Sequence, residues 1–92
     1  MRVSDEYIIT DINGETAAIP VGQKVVDMSG AFKLNEAASC ILDGIRDNLS
    51  LTDIKTRLYE KYEAYDRSEK EIIDVDVDSF INSAKERGLI VE

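Results

Sequence analysis

Tyr7-Ile8-Ile9-Thr10-Asp11-Ile12-Asn13-Gly14-Glu15-Thr16-Ala17-Ala18-Ile19-Pro20-Val21 is the stretch whose reading decides the fold. Its first run is rich in β-branched and aromatic residues, and Asn13-Gly14 separates it from a second extended run. A type I′ turn needs positive φ at both central residues, and Asn-Gly supplies this at little steric cost, so the spacing predicts two antiparallel strands. Pro20 donates no ladder hydrogen bond, so the second strand ends there and Gly22 releases the chain.

Outward from this hairpin, Gln23 to Ser29 reads either as a short strand extension or as a loop, and Met28-Ser29-Gly30 as a turn. Ala31-Phe32-Lys33-Leu34 alternates apolar and polar positions and is expected as a third strand with Phe32 and Leu34 on one face. The period then changes. Ala37, Ala38, Ile41 and Ile45 recur at helical spacing, with Asn35 as N-cap and Glu36 at the positive end of the dipole, which predicts a helix over 36–46. Gly44 inside it implies either fraying or close packing.

Ser50 with Asp53 three residues later marks a second helix start, followed by Leu51, Ile54, Leu58 and Tyr62 on one face. From Glu63 to Asp74 charged residues dominate, and an exposed connector is expected. Val77, Phe80, Ile81 and Ala84 fall at i, i+3, i+4 and i+7, so a third helix is expected to start at an Asp76 N-cap and to stop at Gly88. Leu89-Ile90-Val91 is then a short apolar tail that packs on the sheet or on the second helix. The architecture implied is α+β and winged-helix-like: a three-stranded antiparallel sheet followed by three helices.

At 92 residues and 10.3 kDa the chain has room for one domain, 1–92, and one modest core; a large enzyme is excluded. The hydrophobic share of 43% and charged share of 33% are globular values, and no apolar run approaches the ~20 residues that span a bilayer. Acidic residues outnumber basic ones 19 to 11, and the net charge of -8 repels a phosphate backbone. The first six residues show none of the apolar core of a secretory signal, so a cytoplasmic protein is expected. With no histidine and one cysteine, an internal disulfide, a multi-cysteine metal cluster and the commonest general base are all missing.

Individual constellations point away from chemistry. Asp74-Val75-Asp76-Val77-Asp78 resembles the opening of a calcium loop, but counting from Asp74 puts Ser79 where glycine is needed and Lys85 where the bidentate glutamate is needed. Acidic residues at a helix N-terminus explain the run without a metal. Cys40 has no base or positive neighbour to activate it and reads as a small helix residue. The carboxylates lie on solvated faces, and no phosphate-binding glycine motif occurs. No catalytic residue, metal or cofactor is expected. A three-stranded sheet does have two edges with unpaired backbone groups, and an extended peptide can add a strand to one of them. The rings of Phe32 and Phe80 are expected to serve the core rather than such a guest.

Taken in order, Gly14, Ile19-Pro20-Val21-Gly22, Gly30, Leu34-Asn35-Glu36-Ala37-Ala38, Ile41, Ser50, Leu58, Tyr62, Asp76-Val77, Phe80-Ile81 and Gly88-Leu89-Ile90 resemble the PqqD-like proteins. These are named for pyrroloquinoline quinone synthesis protein D and are also called peptide recognition elements of ribosomal natural-product pathways. The resemblance covers nearly the whole chain. It departs from the family at Leu42, where many relatives carry tryptophan, and in a longer, more acidic stretch before the third helix. It implies a non-catalytic adaptor that binds the leader segment of a ribosomally made precursor as an added strand and presents it to a modifying enzyme, a radical S-adenosylmethionine enzyme or a leader peptidase. The peptide-binding residues it implies are Ala31, Phe32, Lys33, Leu34, Val77, Ile81, Ala84 and Lys85. Pairing of the free edge with a second copy would give a homodimer. Two alternatives stand beside it: a winged-helix transcription regulator, which the acidic third helix opposes, and a subunit that only stabilises a partner enzyme.

Overall fold

Asn13 and Gly14 take φ values of 53° and 84°, the left-handed pair a type I′ turn demands. They join β2 (Tyr7–Ile12) to β3 (Glu15–Pro20) in the register Ile12 opposite Glu15 and Tyr7 opposite Pro20. In this computed structural model residues 1–21 and 31–92 are described, Phe32 by its backbone alone. The expectations for Gln23 to Ser29, and for the Met28-Ser29-Gly30 turn, lie outside the described residues. β4 (Phe32–Leu34) pairs antiparallel with β3, Lys33 opposite Ala17, giving the sheet order β2-β3-β4.

The helices α1 (Glu36–Arg46) and α2 (Leu51–Lys61) begin where their caps are. Asn35 Oδ1 accepts from the Ala38 N–H at 2.8 Å and Ser50 Oγ from the Asp53 N–H at 3.1 Å. Gly44 marks close packing rather than fraying: a Cβ there would fall 2.7 Å from Ile54 Cγ1 on α2. Of the α2 face, Ile54 and Leu58 are buried, whereas Leu51 and Tyr62 at its two ends are exposed. A sheet and three helices are thus present in the expected order, an α+β fold.

Three expectations are corrected. First, α3 spans Arg67–Glu86, so the stretch taken for a connector supplies its first turns. Asp66, not Asp76, is the N-cap, its Oδ1 accepting from the Glu69 N–H at 2.8 Å. Lacking an apolar face, this segment still carries strong helix formers, Arg, Glu and Lys, and an Arg67–Glu71 pair at 3.5 Å. It is clasped to α2, where the Tyr59 hydroxyl donates to Asp74 and Lys70 Nζ sits 5.4 Å from the Tyr59 ring centre. Second, the chain opens with an additional strand, β1 (Arg2–Val3). Third, the tail packs as a strand, β5 (Ile90–Val91), paired with β1, Val3 opposite Ile90. The Ser4 N–H donates to Leu89 O at 2.8 Å and the Tyr7 hydroxyl to Arg87 O at 2.9 Å. Leu89 and Ile90 are fully buried, so this closure joins the chain ends through the core.

That core lies between the inner face of the sheet and the helices: Tyr7, Ala18 and Leu34 meet Ile41, Leu42 and Ile45 of α1, Ile54 and Leu58 of α2, and Val77, Ile81 and Ala84 of α3. Among the described residues no helix is long and apolar enough to cross a membrane.

Candidate functional site

The phase of the β ladder decides what the sheet offers at its edge. The Val21 N–H donates to Glu6 O at 2.8 Å. In an antiparallel pair bonded and non-bonded residue pairs alternate, so Ile8–Ile19, Thr10–Ala17 and Ile12–Glu15 are the bonded pairs of β2 and β3. Thr16 and Ala18 therefore turn their N–H and C=O groups towards β4, to Leu34 and Phe32. Lys33 falls between these pairs, and its N–H and C=O point away from β3. Among the described residues no strand pairs with that outer side of β4.

Where β4 ends, a groove begins. Asn35, Ala37, Ala38 and Ile41 of the β4–α1 segment form one wall, Ile73, Asp76, Val77, Ser79 and Phe80 of α3 the other, and Leu58 and Tyr62 of α2 close it, around a cavity of about 410 Å³. Ile72, next to the lining residue Ile73 in the α3 sequence, is 64% exposed. Partial burial, with the Glu36 carboxylate adding to it, pushes the Tyr62 phenol above its ordinary value. Glu36 is itself held by Lys61 at 3.0 Å, and this hydrogen bond raises the Lys61 ammonium above its ordinary value. The ends of α1 and α2 are tied together beside the groove.

Of the eight residues named from sequence, Phe32 is placed by its backbone alone, in β4 opposite Ala18, and the other seven divide into three groups. Leu34, Val77, Ile81 and Ala84 come together, but in the core, and only Val77 also lines the groove. Ala31 and Lys33 are exposed at the sheet edge, where Lys33 Nζ lies 3.0 Å from Glu15 Oε2. Lys85 is turned to the tail, its Nζ 3.0 Å from Glu92 Oε1. Phe80, expected in the core, is half-buried and serves both core and groove. Sequence reasoning missed Asn35, Ala37, Tyr62, Ile73 and Asp76 as lining residues. A signal existed for α3: Ile73, Asp76, Val77 and Phe80 stand at i, i+3, i+4 and i+7, a pattern hidden once the helix is started at Asp76. Among the described residues no group of three or more potential ligands could hold a metal ion.

Fold and groove define a small α+β module in which, among the described residues, no strand covers the outer side of β4 and an apolar slot begins at Asn35, just beyond it. The family model described as Coenzyme PQQ synthesis protein D (PqqD) matches residues 6–90, so the chain belongs to the PqqD family. No curated protein and no solved structure matches the chain.

Proposed function

We propose that the protein is a non-catalytic adaptor in the synthesis of pyrroloquinoline quinone or of another ribosomally made peptide product. It binds the leader segment of the precursor as a strand added to β4 and presents it to a modifying enzyme, a radical S-adenosylmethionine enzyme or a leader peptidase. The observation that carries this reading is the outward-facing N–H and C=O of Lys33 on an edge that leads into the apolar groove. Main-chain bonds to such an edge give affinity, and alternate side chains entering a pocket give specificity. Membership of the PqqD family supports the same reading.

Titration with the leader segment of the precursor encoded beside the gene, followed by calorimetry, tests it. Lys33→Pro removes an outward donor without touching the β3–β4 bonds, and an edge strand tolerates proline in that orientation. Losing one main-chain bond worth about 1 kcal/mol, together with the steric block of the ring, should weaken binding about tenfold or more. Phe80→Ala should weaken it from the groove side. No binding at tens of micromolar, or binding unchanged by Lys33→Pro in a protein whose melting curve is intact, rejects the proposal. A second copy of the chain is the competing occupant of the same edge, so sedimentation at the working concentration accompanies the titration.

A further inference from the structure

Asp74, Asp76 and Asp78 alternate along α3, and a helix that turns 100° per residue sends the middle one to the opposite side from the other two. Asp74 accepts from the Tyr59 hydroxyl and Asp78 Oδ1 lies 3.2 Å from Lys55 Nζ, both partners being on α2. Asp76 is exposed, lines the groove, and among the described residues has no hydrogen-bond or ion-pair partner. Among the described residues no lysine or arginine lines that groove, and Asp76 is the one charged residue in its lining. Phe80 stands one helical turn further on, about 6 Å along the axis. Side chains two residues apart on an extended strand share a face and are separated by about 6.6 Å.

We infer that the groove, on the reading that it receives a peptide strand, selects a guest with an apolar side chain and, two residues from it, a lysine or arginine. The apolar side chain packs on Phe80 while the cation meets the Asp76 carboxylate. A glutamate at that second position would face an unneutralised carboxylate beside an apolar wall, where Coulomb repulsion is screened less than in open water. The overall charge of -8 draws cationic guests in the same sense.

Three fluorescein-labelled valine- and threonine-rich peptides, each of about ten residues, test this; they differ only in carrying Lys, Gln or Glu two positions from a single leucine. Anisotropy titrations at low salt should rank them Lys, Gln, Glu, with about 3- to 5-fold between neighbours, the range of a partly exposed ion pair. The ranking should flatten in high salt and in Asp76→Asn, and invert in Asp76→Lys; both variants alter an exposed side chain and keep the fold. Equal binding of all three peptides, or a ranking that survives in Asp76→Asn, overturns the charge selection and leaves strand addition standing. Failure of all three to bind removes both.

Discussion

Gly44→Ala perturbs the contact between α1 and α2 on which the floor of the groove rests. A Cβ at this position lies 2.7 Å from Ile54 Cγ1, 3.3 Å from its Cδ1 and 3.7 Å from its Cβ. Two effects oppose one another. Alanine in a helix interior is favoured over glycine by about 0.8–1.0 kcal/mol. Against that, carbon atoms pack at about 3.5–4.0 Å, so the 2.7 Å approach demands roughly 1 Å of separation between helices or an off-rotamer Ile54. Ile54 is 1% exposed and β-branched, with one strongly preferred χ1 in a helix, so its Cγ1 cannot swing aside as a chain end would. Overpacking of this kind costs about 1–3 kcal/mol, and with so stiff a neighbour the upper half of the range applies. The net loss is about 1–2 kcal/mol, or a fall of about 1–2 M in the urea midpoint.

A double-mutant cycle isolates the cause. Ile54→Ala alone should cost about 2–5 kcal/mol, and the double variant should lose at least about 1 kcal/mol less than the two singles added, because the truncated side chain vacates the space the new methyl needs. Leu58 and Tyr62, further along α2, line the groove, so peptide affinity should fall with Gly44→Ala as α2 is pushed outward. Stabilisation of Gly44→Ala by the full propensity gain, or strict additivity in the cycle, would refute the steric argument.

Other perturbations probe the polar ties around the same frame. Tyr59→Phe should destabilise by about 1 kcal/mol through loss of the bond to Asp74. That bond favours the protonated phenol and raises its pKa, so its contribution is complete below the ordinary tyrosine range and is lost as pH rises through the raised value; absorbance at alkaline pH, compared with Tyr59→Phe, should show Tyr59 ionising above the ordinary tyrosine range. The hydrogen bond from Lys85 lowers the Glu92 carboxyl, so its tether on the tail is complete above the usual carboxylate range and is lost as pH falls through the lowered value. Weaker protection of the Val91 amide, measured against the intrinsic exchange rate at each pH, in acid and at neutral pH in Glu92→Gln, would register that loss. Asn35→Ala should cost about 1 kcal/mol in thermal or urea unfolding by uncapping α1.

The hairpin and the first two helices were legible because each is written locally: Asn13-Gly14 carries its own turn geometry, and Asn35 and Ser50 carry their own caps. The β1–β5 ribbon was not legible. Two strands of two residues each have no periodicity, and the partners stand at opposite ends of the chain, so only the assembled core brings them together. The start of α3 is hidden in the sequence because its first turns carry no apolar stripe and rest instead on propensity, the Asp66 cap and the Tyr59 clasp. Val77, Ile81 and Ala84 stand out in a shortened helix, and they are the residues that hold it to the core, while the row facing the groove begins at Ile73, before the expected start.

An open edge beside an apolar groove is also a hazard, and β4 limits it by being three residues long and by carrying Lys33 paired with Glu15. The same brevity limits what a guest strand can gain there. Lys33 presents one donor and one acceptor outward, and at about 1 kcal/mol net per bond these fall short of the several kcal/mol that association costs in lost freedom. The groove must contribute the remainder through apolar burial, at about 25 cal/mol for each Å² covered. Edge and groove are therefore interdependent. In the proposed complex, pairing at the edge would set the strand's register so that every second side chain faces the groove, and the groove would supply the affinity that the short edge lacks. Closing either half, Lys33→Pro at the edge or Phe80→Ala in the groove, should remove most of the binding, and the double variant should lose much less than the two losses added, because neither half retains a guest alone.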